Sequence, residues 1–231
     1  MAKKTNQEET IVDVQEVFSK TELFIDKNRS KLAIVIGALV LVVLGVIAYK
    51  QFVVNPKESK AQEAVWKAEQ YASMDSLDLA LDGDGLYDGF VQVAREHAGT
   101  KAASRANFYL GTISRDREEF DAAIDYFKKV EFKDDVIGPM ASGNIGDCLV
   151  ESGKVGEAIP YFEEAAMKAM NGKGAGFVAP LYLHKAAIAN MDQGNNDKAE
   201  KHFRTIVDNY PEAQNINDAK KYLAMLEAQN G

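Results

Sequence analysis

The chain has 231 residues, of which 46% are hydrophobic and 27% charged, and its formal net charge is −8. Residues 1–56 carry seven basic and six acidic side chains, which leaves 20 basic and 29 acidic side chains in residues 57–231. An acidic region without a basic stripe repels phosphate backbones, which argues against nucleic acid as a partner. We expect most of these scattered carboxylates to be solvated helix surface. The single cysteine, Cys148, permits neither an internal disulfide nor a multi-cysteine zinc site, and we expect it in the core.

Residues 1–30 are predicted to form a cytoplasmic tail that contains an amphipathic helix. A mainly apolar stripe recurs there at helical spacing, with charged residues between its members. Such a helix is expected to lie on the inner leaflet or on a membrane partner, and the alternative is a frayed tail with an accidental stripe. The stripe consists of Val14, Val17, Phe18, Thr21, Phe24 and Ile25.

An 18-residue stretch without a charge, residues 32–49, predicts a transmembrane anchor within residues 31–54. At about 1.5 Å per residue this stretch is about 27 Å long, which matches the hydrocarbon layer of a bilayer. Lys31 and Lys50 bracket it and can reach the headgroups. The alternatives are a buried core helix, which is rarely apolar on all sides for so long, and a cleaved signal peptide. The length of the run and the absence of an A-x-A-like site after it argue against cleavage.

The charges that flank the stretch do not set its orientation, because four basic residues lie near each side of it. A long downstream domain crosses largely regardless of charge, whereas a short basic tail stays inside. We therefore expect a cytoplasmic N-terminus and a C-terminal domain beyond the membrane.

Three segments between residues 104 and 213 share one pattern of small and aromatic residues. In each, a small residue of a first helix is expected to face a small residue of a second helix, and an aromatic residue follows four positions later. Small side chains let two antiparallel helices approach, and the ring fills the space beside them. The first-helix positions are Gly111, Gly146 and Ala187; the second-helix positions are Ala123, Ala158 and Ala199; and the rings are Phe127, Phe162 and Phe203.

The spacing of the pattern identifies the repeat type. The second-helix alanines lie 35 and then 41 residues apart, close to the tetratricopeptide period of about 34 residues. The later insertion is expected in the glycine-rich loop 171–176. Gly153 and Gly194 are expected in left-handed turns between paired helices, and Pro211 closes the third repeat.

The complete prediction is an all-α chain, in which a single N-terminal transmembrane helix precedes a tetratricopeptide α-solenoid. Residues 57–103 form a degenerate first helix pair, residues 104–213 three repeats and residues 214–231 a C-terminal capping helix. In the degenerate pair we expect the second helix to run from Gly85 to His97.

The order of these parts resembles one family. The segments that show this resemblance are VQEVFSKTELFIDKNRSKLAIVIG, LALDGDGLYDGFVQVAREHAGTKAASRANFYLG and GNIGDCLVESGKVGEAIPYFEEAA. They are similar to membrane-anchored tetratricopeptide proteins of the YfgM type, ancillary subunits of the SecYEG translocon, and above all to Bacteroidota-type members. The resemblance implies an inner-membrane protein with a periplasmic repeat domain that works with a PpiD-type chaperone on emerging secreted proteins. The alternative is a structural scaffold of another envelope complex, for secretion, gliding or cell-wall assembly.

The first helix of each tetratricopeptide pair lines the concave groove of such a solenoid, so residues on that face are the candidate partner-binding residues. The alternative for each of them is a place in the core between repeats. Chaperone-tail clamps use lysine and asparagine, where this chain has Phe108 and Thr112, so we expect no such clamp. The candidates are Arg105, Phe108, Thr112, Arg115, Met140, Asp147, Val150, Glu151, Leu181, His184, Ile188 and Met191.

No motif for catalysis, a cofactor or a metal is expected to operate in this chain. The three histidines, His97, His184 and His202, lie in no H-E-x-x-H motif, and no phosphate-binding glycine loop is present. The LDGDG segment lacks the further ligands of a calcium loop, so Asp82 and Asp84 are expected to terminate one helix and cap another. The chain is therefore predicted to be non-enzymatic.

Overall fold

The computed structural model describes residues 5–132, 134, 136–170, 172 and 174–230, with side chains for residue 22 and, within these ranges, for residues 24–229. Within this described part the chain is helical and forms no strand, apart from an isolated bridge between Gly83 and Asp88. The all-α prediction is confirmed. The chain divides into two compact units, Met1–Pro56 and Lys57–Gly231.

The first unit is dominated by one long helix, α1 (Thr5–Tyr49), followed by a short π-helix, Lys50–Val54. Within the described residues, one helical stretch that begins at Phe24 is long and apolar enough to cross a bilayer, and none of its most apolar window is buried. The predicted tail stripe lies largely outside the described side chains. Of its members, Phe24 and Ile25 are exposed.

The second unit consists of helices joined by short turns. α5 begins after Thr100, whose hydroxyl accepts a hydrogen bond from the amide of Ala103 at 3.1 Å, as an N-cap does. The helices are α2 (Asn55–Ser73), α3 (Leu77–Asp82), α4 (Phe90–Glu96), α5 (Lys101–Asp116), α6 (Phe120–Phe127), α7 (Ile137–Glu151), α8 (Val155–Ala169), α9 (Ala175–Asp192), α10 (Asn196–Asn209) and α11 (Ile216–Asn230).

One turn geometry joins the two helices of each pair. The predicted left-handed glycines have φ values of 75° at Gly153 and 73° at Gly194. Glu118 takes the same place after α5 with φ 63°, and Asp75 takes it after α2 with φ 58°. In all four turns the next amide bonds back to the carbonyl five residues earlier, at 2.8 to 2.9 Å, as in a Schellman motif. The turn at Asp75 shows that the first pair begins with α2 and α3.

The small residues of the first pair keep the same register about this turn. Ala68 and Ala80 are both 0% exposed, and they lie seven residues before and five residues after Asp75. Gly146 and Ala158 have the same offsets from their own turn glycine. The first pair is therefore a registered repeat whose second helix is interrupted after α3.

The expectation of a second helix from Gly85 to His97 is wrong at its start, because Gly85 lies in the loop 83–89 that separates α3 from α4, and α4 begins only at Phe90. A side chain on Gly89 would collide with the carbonyl of Leu81, so the loop backbone packs tightly against the end of α3. Asp82 ends α3 as predicted. Asp84 does not cap a helix: its Oδ1 accepts hydrogen bonds from the amides of Leu86 and Tyr87 within the loop.

The close approach of paired helices confirms the role predicted for the small residues. A Cβ on Gly111 would lie 2.8 Å from the ring of Phe127, and a Cβ on Gly146 would lie 2.5 Å from the ring of Phe162. Both rings are buried. The aromatic side chain therefore occupies the volume that a larger residue would need.

The later insertion does not lengthen the glycine-rich loop, contrary to expectation. Only residues 170–174 separate α8 from α9, whereas α6 and α7 are separated by residues 128–136. α8 instead continues seven residues beyond Phe162, while α6 ends at Phe127. Of the added residues 163–169, three are alanine and the others are glutamate, methionine and lysine, all of which favour helix, and Ala165, Ala166 and Ala169 are buried.

Candidate binding groove

The first helices α5, α7 and α9 are linked by two polar bridges on one face. Arg115 Nη1 on α5 donates to Asn144 Oδ1 on α7 at 2.7 Å. Lys185 Nζ on α9 donates to both carboxylate oxygens of Asp147 on α7 at 2.7 Å. These bridges hold the three helices side by side along one surface.

Two aromatic rings contact Lys185, the cation of the second bridge. Lys185 Nζ lies 5.8 Å from the ring centre of Phe162 and 5.6 Å from that of Tyr182. Both rings are buried, and their faces attract the ammonium group in addition to Asp147. Lys185 is therefore held in one position by groups from α7, α8 and α9.

An apolar pocket of about 390 Å³ lies on the α9 side of this bridge. Its walls are mainly aliphatic and aromatic, and the volume falls within the range typical of binding sites. It is lined by Asp147, Val150, Val155, Phe162, His184, Lys185, Ile188, Ala189 and Asp192.

The ring of His184 lies in an aromatic environment at this pocket. It makes edge contacts with Phe203 and Tyr222, at 5.5 and 6.0 Å between ring centres. Burial lowers the pKa of His184 below its ordinary value, and the opposing effect of Asp218 is smaller. Its Nε2 has no hydrogen-bond partner among the described residues. At neutral pH the ring is therefore uncharged and extends the apolar wall.

A polar pocket of about 650 Å³ adjoins the first on the α5 side. The two pockets share Asp147, Val150 and Lys185, so the Asp147–Lys185 bridge marks their boundary. We call the two pockets together the groove. The polar pocket is lined by Arg115, Asp116, Glu118, Phe120, Asp147, Val150, Glu151 and Lys185.

Comparison with known families identifies the fourth helix pair, α9 and α10. Residues 182–213, which cover most of α9 and all of α10, match the tetratricopeptide repeat family. This segment is a tetratricopeptide repeat. In such arrays the stacked repeats present an extended concave surface to their partners.

The remaining comparisons are distant. No curated protein matches the chain. A solved structure similar to it is the type III secretion chaperone SycD of Yersinia enterocolitica, in complex with a peptide of the translocator YopD. The identity is 15% and the TM-score 0.44, over 55% of this chain and 94% of SycD. The assignment of the tetratricopeptide repeat therefore depends on the match of residues 182–213 and on the helix pairs themselves.

Some of the residues predicted on the concave face of the repeats come together in the groove. Val150 and Ile188 lie at its apolar wall and are each 36% exposed. The others contribute charge or an aromatic edge. The predicted residues that line the groove are Arg115, Asp147, Val150, Glu151, His184 and Ile188.

The other predicted residues lie outside the two pockets. Arg105 is engaged by α2, where it donates to Glu69 and Gln62, each at 2.7 Å. Phe108 packs edge-on against the ring of Phe127, with ring centres 5.8 Å apart. The remaining residues are Thr112, whose hydroxyl donates to the Phe108 carbonyl, Met140 and Met191, which pack against the core, and the partly exposed Leu181.

Three important groove residues were not predicted from the sequence. Lys185 lies 38 positions from Asp147, and helical spacing indicates the face of a side chain but not its neighbour in the next repeat. Phe162 was predicted only to fill space between paired helices. Val155 begins the second helix α8, whereas the predicted groove residues all lie on first helices. The complementary charges of Asp147 and Lys185 on adjacent first helices were the one available signal.

Proposed function

We propose that this chain is a non-enzymatic protein-interaction module that holds a polypeptide segment in the groove. The observation that carries this proposal is the apolar pocket of about 390 Å³ beside a fixed ion pair, on the face formed by the first helices. Apolar walls supply affinity, while a few placed polar groups set the orientation of what binds. The match to a tetratricopeptide repeat supports a protein as the partner.

The long apolar helix supports a membrane-anchored placement of this module. Its most apolar window is fully exposed within the first unit, which a bilayer would cover. We further propose that it is a single anchor in a bacterial inner membrane, with the N-terminus in the cytoplasm and residues 57–231 in the periplasm. The orientation is supported by the short basic tail.

The proposed partners follow from the resemblance to YfgM-type proteins. The order of amphipathic tail, anchor and repeats supports a role as an ancillary subunit of the SecYEG translocon. In that role the module would work with a PpiD-type chaperone on secreted proteins as they emerge. The groove would hold a segment of one of these partners or of the secreted chain.

Site-specific photo-crosslinking in intact membranes tests this proposal. A benzophenone amino acid at Ile188 lies in the apolar wall, and the matched control at Met167 is 62% exposed but lines neither pocket. We expect adducts from Ile188, identified by mass spectrometry as translocon subunits, the chaperone or secreted chains. Equal capture from both sites would refute the groove. Capture of a different envelope complex from Ile188 alone would instead support the scaffold function.

A further inference from the structure

The three first helices of the groove all end in an acidic residue. Asp116, Glu151 and Asp192 are the last residues of α5, α7 and α9, respectively. A helix C-terminus carries a partial negative charge, so an acidic residue there is unfavourable and a basic residue is preferred. Neither α7 nor α9 has a basic residue in its last turn. These carboxylates therefore oppose helix stability.

The cations of the groove are already paired. Arg115 bridges Asp116 at 2.9 Å, and Lys185 is held by Asp147 at 2.7 Å. Among the described residues, no lysine, arginine or histidine forms an ion pair with Glu118, Glu151 or Asp192. The groove consequently carries an excess of three negative charges beside its apolar pocket.

The groove combines an apolar wall with carboxylates that form no ion pair among the described residues, although Gln193 donates a hydrogen bond to Asp192 at 3.0 Å, and this combination restricts what the groove can bind. Val150, Val155 and Ile188 offer aliphatic contact, which favours an apolar segment. An acidic segment would be repelled, whereas basic residues beside the apolar segment would pair with Glu151 and Asp192. Charge complementarity therefore selects among polypeptides with an equally good apolar part.

We propose that the groove binds an aliphatic polypeptide segment that is flanked by lysine or arginine. The aliphatic side chains fill the apolar pocket, and the flanking cations meet the carboxylates at the ends of α7 and α9. This inference rests on the proposed function, because it names the class of segment that the same groove takes.

A peptide array probed with the full-length chain in detergent tests the inference. The array carries many 15-residue peptides with different aliphatic centres, each made in three versions with lysine, glutamine or glutamate at the flanks. We expect the lysine versions to bind about threefold or more tightly than their glutamine twins at low salt, and the glutamate versions to bind least. The advantage should shrink at high salt, because exposed ion pairs are screened.

Three variants separate the contribution of the groove carboxylates from that of the apolar wall. The double variant Glu151→Gln/Asp192→Asn should lose most of the preference for lysine, while Asp208→Asn, which removes an exposed acid near the end of α10, should keep it. Ile188→Asp should weaken binding of all versions. Far-UV circular dichroism checks that each variant is folded.

Each result of this experiment is decisive. If the three versions bind equally and Ile188→Asp abolishes their binding, the charge inference is wrong and the proposed function stands. If no version binds, or if Ile188→Asp has no effect on binding, the groove itself is refuted. Loss of the lysine preference in Asp208→Asn would also overturn the inference, because the preference would then depend on total charge.

Discussion

The acidic ends of α7 and α9 lead to a prediction that separates stability from binding. Glu151→Gln together with Asp192→Asn should make the folded chain more stable, because each removes a negative charge from a helix C-terminus. One such charge costs about 0.3–1 kcal/mol at an exposed site, so the double variant should gain about 0.6–2 kcal/mol in the free energy of unfolding. Asp116 is left unchanged, because the salt bridge from Arg115 at 2.9 Å offsets its effect.

Thermal unfolding followed by circular dichroism measures this gain. For a folded region of this size, 1 kcal/mol corresponds to about 2–4 °C in Tm. Asp208→Asn is the matched control, since Asp208 is the residue before last in α10 and is also exposed. It should gain about 0.3–1 kcal/mol by the same effect. If the double variant has a lower Tm than the unchanged chain, these carboxylates stabilise the fold and the reasoning is refuted.

The other predictions concern packing and pH. Gly146→Val should lower the free energy of unfolding by about 1–3 kcal/mol in urea titrations, because a Cβ there would lie 2.5 Å from the ring of Phe162. Gly156→Ala, whose nearest neighbour is a flexible glutamine oxygen at 3.3 Å, should instead gain up to about 1 kcal/mol, and equal stability of the two variants would contradict the close packing. The hydroxyl of Tyr71 and two loop amides lower the pKa of Asp84 to about 2. The contribution of Asp84 to the loop is therefore complete above pH about 4 and lost as the pH falls towards 2, which Trp66 fluorescence should report.

The control for the pH prediction uses the geometry of the loop. Trp66 is the single tryptophan in the sequence, and its ring lies 6.2 Å from that of Tyr87 in an edge-on contact. Asp84→Asn removes the titrating group, so its fluorescence should no longer change between pH 4 and 2. An unchanged transition in that variant would show that a different carboxyl controls the loop.

The paired helices could be predicted because their pattern is local. Gly146, Ala158 and Phe162 lie within one helix pair, so the sequence contains both the position and the physical reason for it. The split of the second helix into α3 and α4 was missed, because LDGDG indicates a turn but not that the helix begins again only at Phe90. The extension of α8 was also missed. The glycines near residue 172 favour a loop, and the prediction gave them more weight than the alanines before them, which favour helix.

The groove could be predicted only in part, because it is formed by neighbours in different repeats. Helical spacing predicts Val150 and Ile188 on one face, and in the structure both line the apolar pocket. The same spacing predicts Arg105 and Phe108 on that face as well, but Arg105 bonds to Glu69 and Phe108 packs against Phe127. Only the positions of adjacent helices show that Lys185 reaches Asp147.

The four left-handed turns also imply an order in which the array opens. Glycine adopts this conformation freely at Gly153 and Gly194, whereas it costs about 1–2 kcal/mol at Glu118 and less at Asp75, because aspartate tolerates it better than glutamate. In a linear array each pair is stabilised mainly by its neighbours, so a weaker joint can loosen without unfolding the whole. Hydrogen exchange should therefore be fastest in the two helix pairs that contain Asp75 and Glu118. The turns at Gly153 and Gly194 join α7 to α8 and α9 to α10, so we expect these four helices to remain folded while the earlier pairs open locally.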